Sequence, residues 1–289
     1  LKQIQKHKKR TFFVQLYSPF FLILMLLTPL NQAKADNLLI GGSGAGLGGM
    51  KLLATAFMKK HPEQRIVVLR SLGSSGGIKA LADKKIDLAL SSRPLNAREQ
   101  SYNFNILNYA FSPLVLVTRK DNEICSTTTD ELIKLYSGQN RTWKNGMPVR
   151  IVRRPQRESD IKILQSISRE LKSTLSIVMQ LDHLPIAYTD QENADILERL
   201  PGALGVISLA QLKSENRVLK TITLNGVQSN LENLKNGKYP YFKNFYLVTP
   251  SFPSPLLQSF IDFVFSKDGQ KILTENGHLT PKILDTKVL

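Results

Sequence analysis

Between Leu38 and Leu95 one pattern occurs three times: a short apolar run, then a turn of glycine and serine, then a helical stretch. Leu38-Leu39-Ile40 passes through Gly41-Gly42-Ser43-Gly44-Ala45-Gly46 into a helix over Met50 to Phe57. Ile66-Val67-Val68-Leu69 is followed by Gly73-Ser74-Ser75-Gly76-Gly77 and a helix from Ile78 to Lys84. Asp87-Leu88-Ala89-Leu90 then enters the turn Ser91-Ser92-Arg93-Pro94-Leu95. Apolar runs this short, bounded by turn residues, are strands of a buried sheet. Their alternation with helices predicts an α/β chain whose first part is doubly wound, with a ligand crevice beyond the carboxyl ends of the strands.

The later sequence continues the α/β alternation. A long β run, Pro113 to Thr118, leads into the polar Arg119-Lys120-Asp121-Asn122. A helix over Thr129 to Tyr136 follows, then a turn-rich stretch from Gly138 to Pro148. Arg150 to Arg154 reads as a strand, and Ser159 to Lys172 as one amphipathic helix. Asp190 to Leu200 reads as a helix closed by Pro201-Gly202, and Gly205 to Ser208 as a strand. Phe245 to Thr249 is a second strand of the Val115 type, and Phe260 to Leu273 a helix. The chain carries no internal sequence repeat and no low-complexity tract.

The first residues are expected to direct export. Lys2, Lys6, Lys8, Lys9 and Arg10 form a basic region, and the chain from Phe12 to Thr28 is nearly all apolar. Pro29 and Ala33-Lys34-Ala35 supply the small residues of a signal-peptidase site, so residues 1–35 read as a signal peptide and Asp36 as the mature start. No cysteine lies near that site, so the expectation is a periplasmic protein without a lipid anchor. Loss of residues 1–35 leaves 33 Lys and Arg against 23 Asp and Glu, a formal +10. That charge suits an anionic partner. The basic residues are scattered rather than gathered in an aromatic-interleaved stripe, which argues against nucleic acid. Cys125 stands alone and forms no intramolecular disulfide, and four scattered histidines give no metal-ligand spacing. The chain is therefore expected to carry no metal and no cofactor.

The three glycine–serine turns are the candidate chemistry. Glycine lets backbone N–H groups approach a ligand closely, and a helix start offers unpaired donors with a dipole that favours negative charge. The first turn offers the Ser43 hydroxyl and the amides of Gly44 and Ala45; the second offers Ser74 and Ser75. In the third, Ser92 reads as an N-cap with Pro94 near the first helical turn, and Arg93 adds a charged fork. Arg154 at a strand end, with Ser159-Asp160 opening a helix, is a fourth contributor from the second half. Singly each feature also fits an ordinary cap or tight turn; a doubly wound topology brings the set to one rim.

These residues resemble the phosphate-binding proteins of ABC transporters, a family of type 2 periplasmic solute-binding proteins. Leu39 to Ala45 is similar to the family's opening strand and first anion loop. Ser71 to Leu81 with Asp87 to Leu95 is the strongest similarity, and Leu135-Tyr136-Ser137-Gly138 with Trp143 and Gly146 resembles the start of the second lobe. Pro201 to Val206 and Phe263 to Gly277 are similar too, so the resemblance spans nearly the whole mature chain. It implies a two-lobed clamshell, with residues 36–117 plus about 245–289 as lobe one and about 118–244 as lobe two. The strands near Val115 and Leu247 would cross between them. It further implies a monomer that binds phosphate through amides, hydroxyls and an arginine, then docks on an ABC transporter permease. Ser74 matches the family's second-loop serine and Arg154 its arginine.

Two departures bear on the ligand. Many relatives have an aspartate, which accepts the proton of phosphate, where this chain has Ser92; the loop Gly-Ser-Gly-Thr after the arginine is replaced by Arg157-Glu158-Ser159-Asp160. Either Asp160 or Glu158 supplies the missing acceptor, or both are helix-start acids that face water. Sulfate, molybdate and tungstate remain alternative oxyanions, and an anion-sensing receptor module an alternative role. Gly73-Ser74-Ser75-Gly76-Gly77 also satisfies the G-x-S-x-G elbow of α/β-hydrolases, with Ser75 as nucleophile. A triad would need Asp182 or Asp190 with His183 or His278, and both histidines read as surface loop residues. The expectation is therefore a binding protein with no catalytic residue.

Overall fold

The computed structural model describes residues 37–281, which fall within one unit of the chain, Ala35–Leu289. The expected signal peptide lies outside the described residues. Among the described residues the strands are β1 (Asn37–Gly42), β2 (Arg65–Ser71), β3 (Leu88–Ser91), β4 (Asn105–Arg119), β5 (Ser126–Thr127), β6 (Arg150–Ile151), β7 (Ala203–Ser208), β8 (Leu219–Leu224) and β9 (Phe242–Thr249). The helices are α1 (Leu47–Lys60), α2 (Gly73–Ala82), α3 (Ala97–Gln100), α4 (Thr129–Ser137), α5 (Ser159–Gln165) and α6 (Arg169–Val178). They continue with α7 (Asp190–Arg199), α8 (Leu209–Ser214), α9 (Leu231–Lys235), α10 (Pro255–Phe265) and α11 (Lys267–Glu275). Among these, no helix is long and apolar enough to cross a membrane.

The strands follow the order β2-β1-β3-β9-β4-β7-β6, with β8 also on β4. The repeated pattern forms the parallel core: β1 pairs in parallel with β2 on one side and β3 on the other. Its turns consequently emerge at one edge, as parallel order with helical crossovers requires. β4 is the strand that joins the two halves. Asn105 to Pro113 pair antiparallel with β9, whereas Leu114 to Val117 pair with β7.

The apolar core divides at the same place. One cluster gathers Leu38, Met50, Leu53, Phe57, Tyr109, Ala110, Phe245, Leu247 and Phe260. A second gathers Leu114, Leu116, Leu132, Trp143, Leu164, Leu175, Leu204 and Ile222. Membership changes between Ala110 and Leu114 along β4.

Three expected elements differ. The single helix over Ser159 to Lys172 is two, because Ser168 caps α6 by accepting from the Leu171 N–H at 3.0 Å. The helix over Phe260 to Leu273 likewise breaks at Ser266, whose hydroxyl accepts from Gly269 N–H at 3.2 Å. A serine or threonine N-cap stops one helix and starts the next without interrupting the apolar period. The strand over Arg150 to Arg154 is ladder-paired only at Arg150 and Ile151, with an isolated bridge from Arg153 to Ile186.

Candidate functional site

Glycine contacts draw the first two turns together. Gly42 has φ +130°, and a Cβ there would lie 2.2 Å from the Leu90 carbonyl oxygen. A Cβ on Gly77 would lie 2.5 Å from Gly42 Cα. The end of β1 therefore sits directly against β3 and the first turns of α2, an approach that only glycine permits. The glycine–serine stretch expected to be a turn before the second helix is itself the start of α2, which begins at Gly73.

Serines of all three turns meet as a result. Ser43 Oγ lies 2.6 Å from Ser92 Oγ, and the Ser92 N–H donates to Ser74 Oγ at 3.0 Å. Ser43 and Ser92 are buried, at 4% and 6% exposure. Ser92 is not an N-cap, however: α3 begins five residues later and is capped by Asn96 in a capping box with Glu99. Arg93 does not extend a free fork either. Its Nη1 and Nη2 donate to Glu99 at 2.6 and 2.7 Å, and Nη2 also donates to Ser75 Oγ at 2.8 Å. This bidentate pair braces the third turn against α2 and α3.

The second half faces these turns with charge. Arg154 is 1% exposed. Its Nε donates to Asp160 Oδ2 at 3.2 Å, Nη1 to the Ala187 carbonyl at 3.1 Å and Nη2 to Asp190 Oδ1 at 3.3 Å. Glu158 Oε2 lies 3.6 Å from the same Nη2. Asp160 is also 1% exposed and accepts from Ile161 N–H at 2.9 Å, so the alternative that it faces water is corrected. Its burial is tolerable because a cation lies against it. Ser159 opens α5 beside it, half-buried.

Two further residues complete the cluster, and neither is among the anion-site residues expected from the sequence. Lys243, on β9 and 2% exposed, donates Nζ to Asp190 Oδ1 at 3.3 Å. Asp190, the first residue of α7, accepts from the Ala45 N–H with Oδ2 at 2.9 Å. One carboxylate thus touches the first turn, β9 and the segment after β6 together. Burial opposes its ionisation, but Lys243, Arg154 and the Ala45 N–H hold it below the usual carboxylate range. Glu158 moves the other way: burial, with Asp160 and Asp190 nearby, raises it despite Arg154. Beside the cluster an open cleft of about 800 Å³ is lined by Lys51, Arg70, Ser71, Thr189, Gln191 and Glu215, among others.

The hydrolase alternative finds no support in the geometry. Ser75 Oγ is met by the Arg93 guanidinium. His183 is exposed as expected, but His278 is wholly buried, with Nδ1 3.2 Å from the Leu273 carbonyl oxygen, so its assignment to the surface is corrected. Cys125 is a free, exposed thiol. Among the described residues no cluster of histidine, cysteine and acidic groups is arranged to hold a metal.

The fold is mixed α/β, with buried hydroxyls, a backbone amide and two buried cations gathered where its halves meet. The sequence matches the PBP superfamily domain over residues 28–268, and the chain belongs to that superfamily. It is 26% identical to the phosphate-binding protein PstS of Borreliella burgdorferi, over 89% of this chain and 96% of that one. It is 22% identical to PstS of Bacillus subtilis, covering 89% and 84%. Among solved structures, a Clostridium perfringens protein described as a phosphate ABC transporter substrate-binding protein, with bound phosphate, superposes with a TM-score of 0.68 at 23% identity. It covers 85% of this chain and 99% of that chain. The periplasmic molybdate-binding protein of Azotobacter vinelandii gives a TM-score of 0.60 at 15% identity, covering 84% and 99%. The fold is that of type 2 periplasmic binding proteins.

Proposed function

We propose that this chain is an extracytoplasmic solute-binding protein that captures an inorganic oxyanion, phosphate first, and delivers it to an ABC transporter. The observation that carries this reading is the convergence of Ser43, Ser74 and Ser92 from three separate turns, opposite the buried cations Arg154 and Lys243. Hydroxyls and amides can replace the water around an anion only when they are held in place beforehand, and the glycine contacts hold them. The relatives named as phosphate-binding proteins support phosphate as the oxyanion, and the structural neighbour described as a phosphate ABC transporter substrate-binding protein supports a permease as the partner.

The binding set we propose is Ser43, Gly44, Ala45, Ser74, Ser92, Arg154 and Lys243, with Asp160 as the group that orients Arg154. Arg93 and Ser75 support the turns, and Ser159 opens α5 beside Asp160. The reading includes two lobes, residues 36–117 with 245–289 and residues 118–244, which close on the ligand as a monomer. It also includes export to the periplasm behind a cleaved leader, for which an intact mass beginning at Asp36 is the check. Calorimetric titration with inorganic phosphate tests the binding claim. Wild-type protein should bind one phosphate, and Ser74→Ala should bind it roughly tenfold more weakly, the scale of a hydrogen bond to a charged group. Equal affinity in the two proteins would remove the convergent turns from the site.

A further inference from the structure

Asp190 holds the donors that the proposed function assigns to a bound anion. Its Oδ2 takes the Ala45 N–H at 2.9 Å, and its Oδ1 takes Lys243 Nζ and Arg154 Nη2, each at 3.3 Å. The contact with the first turn is close-fitting. A Cβ on Gly44 would fall 2.4 Å from Gln191 Oε1 and 2.8 Å from Asp190 Oδ2. Gln191 Nε2, one residue along α7, donates to the Gly44 carbonyl at 2.9 Å and to Glu215 Oε1 at 2.8 Å. The start of α7 therefore clasps the first turn by two side chains.

The surrounding charges make this carboxylate a stand-in for a ligand. Two cations, Arg154 and Lys243, face Asp190, while Asp160 and Glu158 share Arg154 with it. A second anion brought to the same donors would meet an ionised carboxylate at contact distance in a buried place, where like charges repel strongly. One amide N–H cannot serve both acceptors at full strength.

We propose that Asp190 is an internal competing anion: an incoming oxyanion takes over the Ala45 amide, Arg154 and Lys243 by displacing this carboxylate, which thereby sets the affinity. The inference rests on the oxyanion reading above. Displacement also withdraws the start of α7 from the first turn, so binding and release are coupled to that movement. A role for Asp190 as acceptor of a proton on the ligand has the opposite sign, and both of its oxygens are already committed to cationic or amide donors.

The test is calorimetric titration of wild type and Asp190→Asn with inorganic phosphate and, separately, sulfate. Asp190→Asn should bind phosphate at least about tenfold more tightly, the scale of one charge-assisted hydrogen bond that no longer competes. Sulfate affinity should rise by a similar factor, because the competitor does not discriminate by proton. Wild-type binding with equal or weaker affinity in Asp190→Asn overturns the displacement and leaves the oxyanion reading standing. Absence of binding by both proteins to either anion overturns the oxyanion reading itself. Should Asp190→Asn not fold, Gln191→Ala removes the neighbouring bond of the same clasp. It should tighten phosphate binding several-fold, roughly one neutral hydrogen bond, and unchanged or weaker binding refutes the clasp.

Discussion

Acidification below neutral pH should destabilise this protein through one buried imidazole. His278 has no exposed surface, and its ring centroid lies 5.4 Å from that of Phe245 and 6.4 Å from that of Tyr109. A Cβ on Gly49 would come within 2.7 Å of its Cε1, so α1 closes the pocket on that side. Nδ1 faces the Leu273 carbonyl oxygen, and Nε2 is buried without a partner. A second proton would place a charge in this apolar pocket, and burial pushes the group down from 6.5 to about 4. Because the folded value is depressed, the stability it contributes is complete above about pH 6.5 and is lost as pH falls from 6.5 to 4. Over that interval the unfolded chain binds a proton that the folded chain refuses. At about 1.4 kcal/mol per unit, the loss is on the order of 3 kcal/mol, most of it reached by pH 4.5. Urea unfolding followed by the fluorescence of Trp143, the single tryptophan, should show the difference between pH 7.5 and 4.5. In His278→Asn that difference should shrink by about 2–3 kcal/mol relative to wild type. The same pH dependence in both proteins would refute the reasoning.

Other changes separate packing from binding. Gly77→Ala places a methyl 2.5 Å from Gly42 Cα; it should cost about 1–3 kcal/mol in urea unfolding, as overpacking does, and weaken phosphate binding by spreading the first two turns. Arg154→Met leaves Asp160 and Asp190 buried without the guanidinium that pairs both. A loss of about 3–5 kcal/mol is expected, and an unchanged unfolding midpoint would contradict the pairing. Asp160→Asn should lower phosphate and sulfate affinity alike, since its carboxylate orients Arg154; a fall for phosphate alone would make it the proton acceptor instead.

The fold was legible where the local pattern and the tertiary structure agree. Each apolar run from Leu38 to Leu90 has turn residues behind it and a helix after, so the parallel strands and their shared rim follow from the order of residues alone. The breaks at Ser168 and Ser266 were hidden, because in both places the apolar spacing continues through the cap. Ser43, Ser74 and Ser92 stand out in the sequence as serines of the turns that follow the strands, although Ser92 caps no helix; Arg93 as a free fork and His278 as a surface residue differ from what the structure shows. Arg93 sits among anion-loop residues yet has Glu99 six positions on as its partner, and a polar loop sequence around His278 conceals the pocket that closes over it. Lys243 and Asp190 carried no local signal. A lysine at the start of a strand reads as solvent-facing, and an acid in the first turn of a helix is what the dipole ordinarily favours. Their meeting depends on β9 passing beside α7, which only the assembled sheet brings about.

The central claim, that the three turns and the two buried cations form an oxyanion site, is tested most directly by a thermal-shift titration. Phosphate, sulfate, molybdate and tungstate would each be added to the same protein at fixed ionic strength. A ligand at a hundredfold excess over its Kd stabilises the folded state by about 2.7 kcal/mol, which for a chain of this size is roughly 5–10 °C in melting temperature. The account predicts a saturable rise of that size with phosphate. Melting temperatures unmoved by all four anions would contradict it.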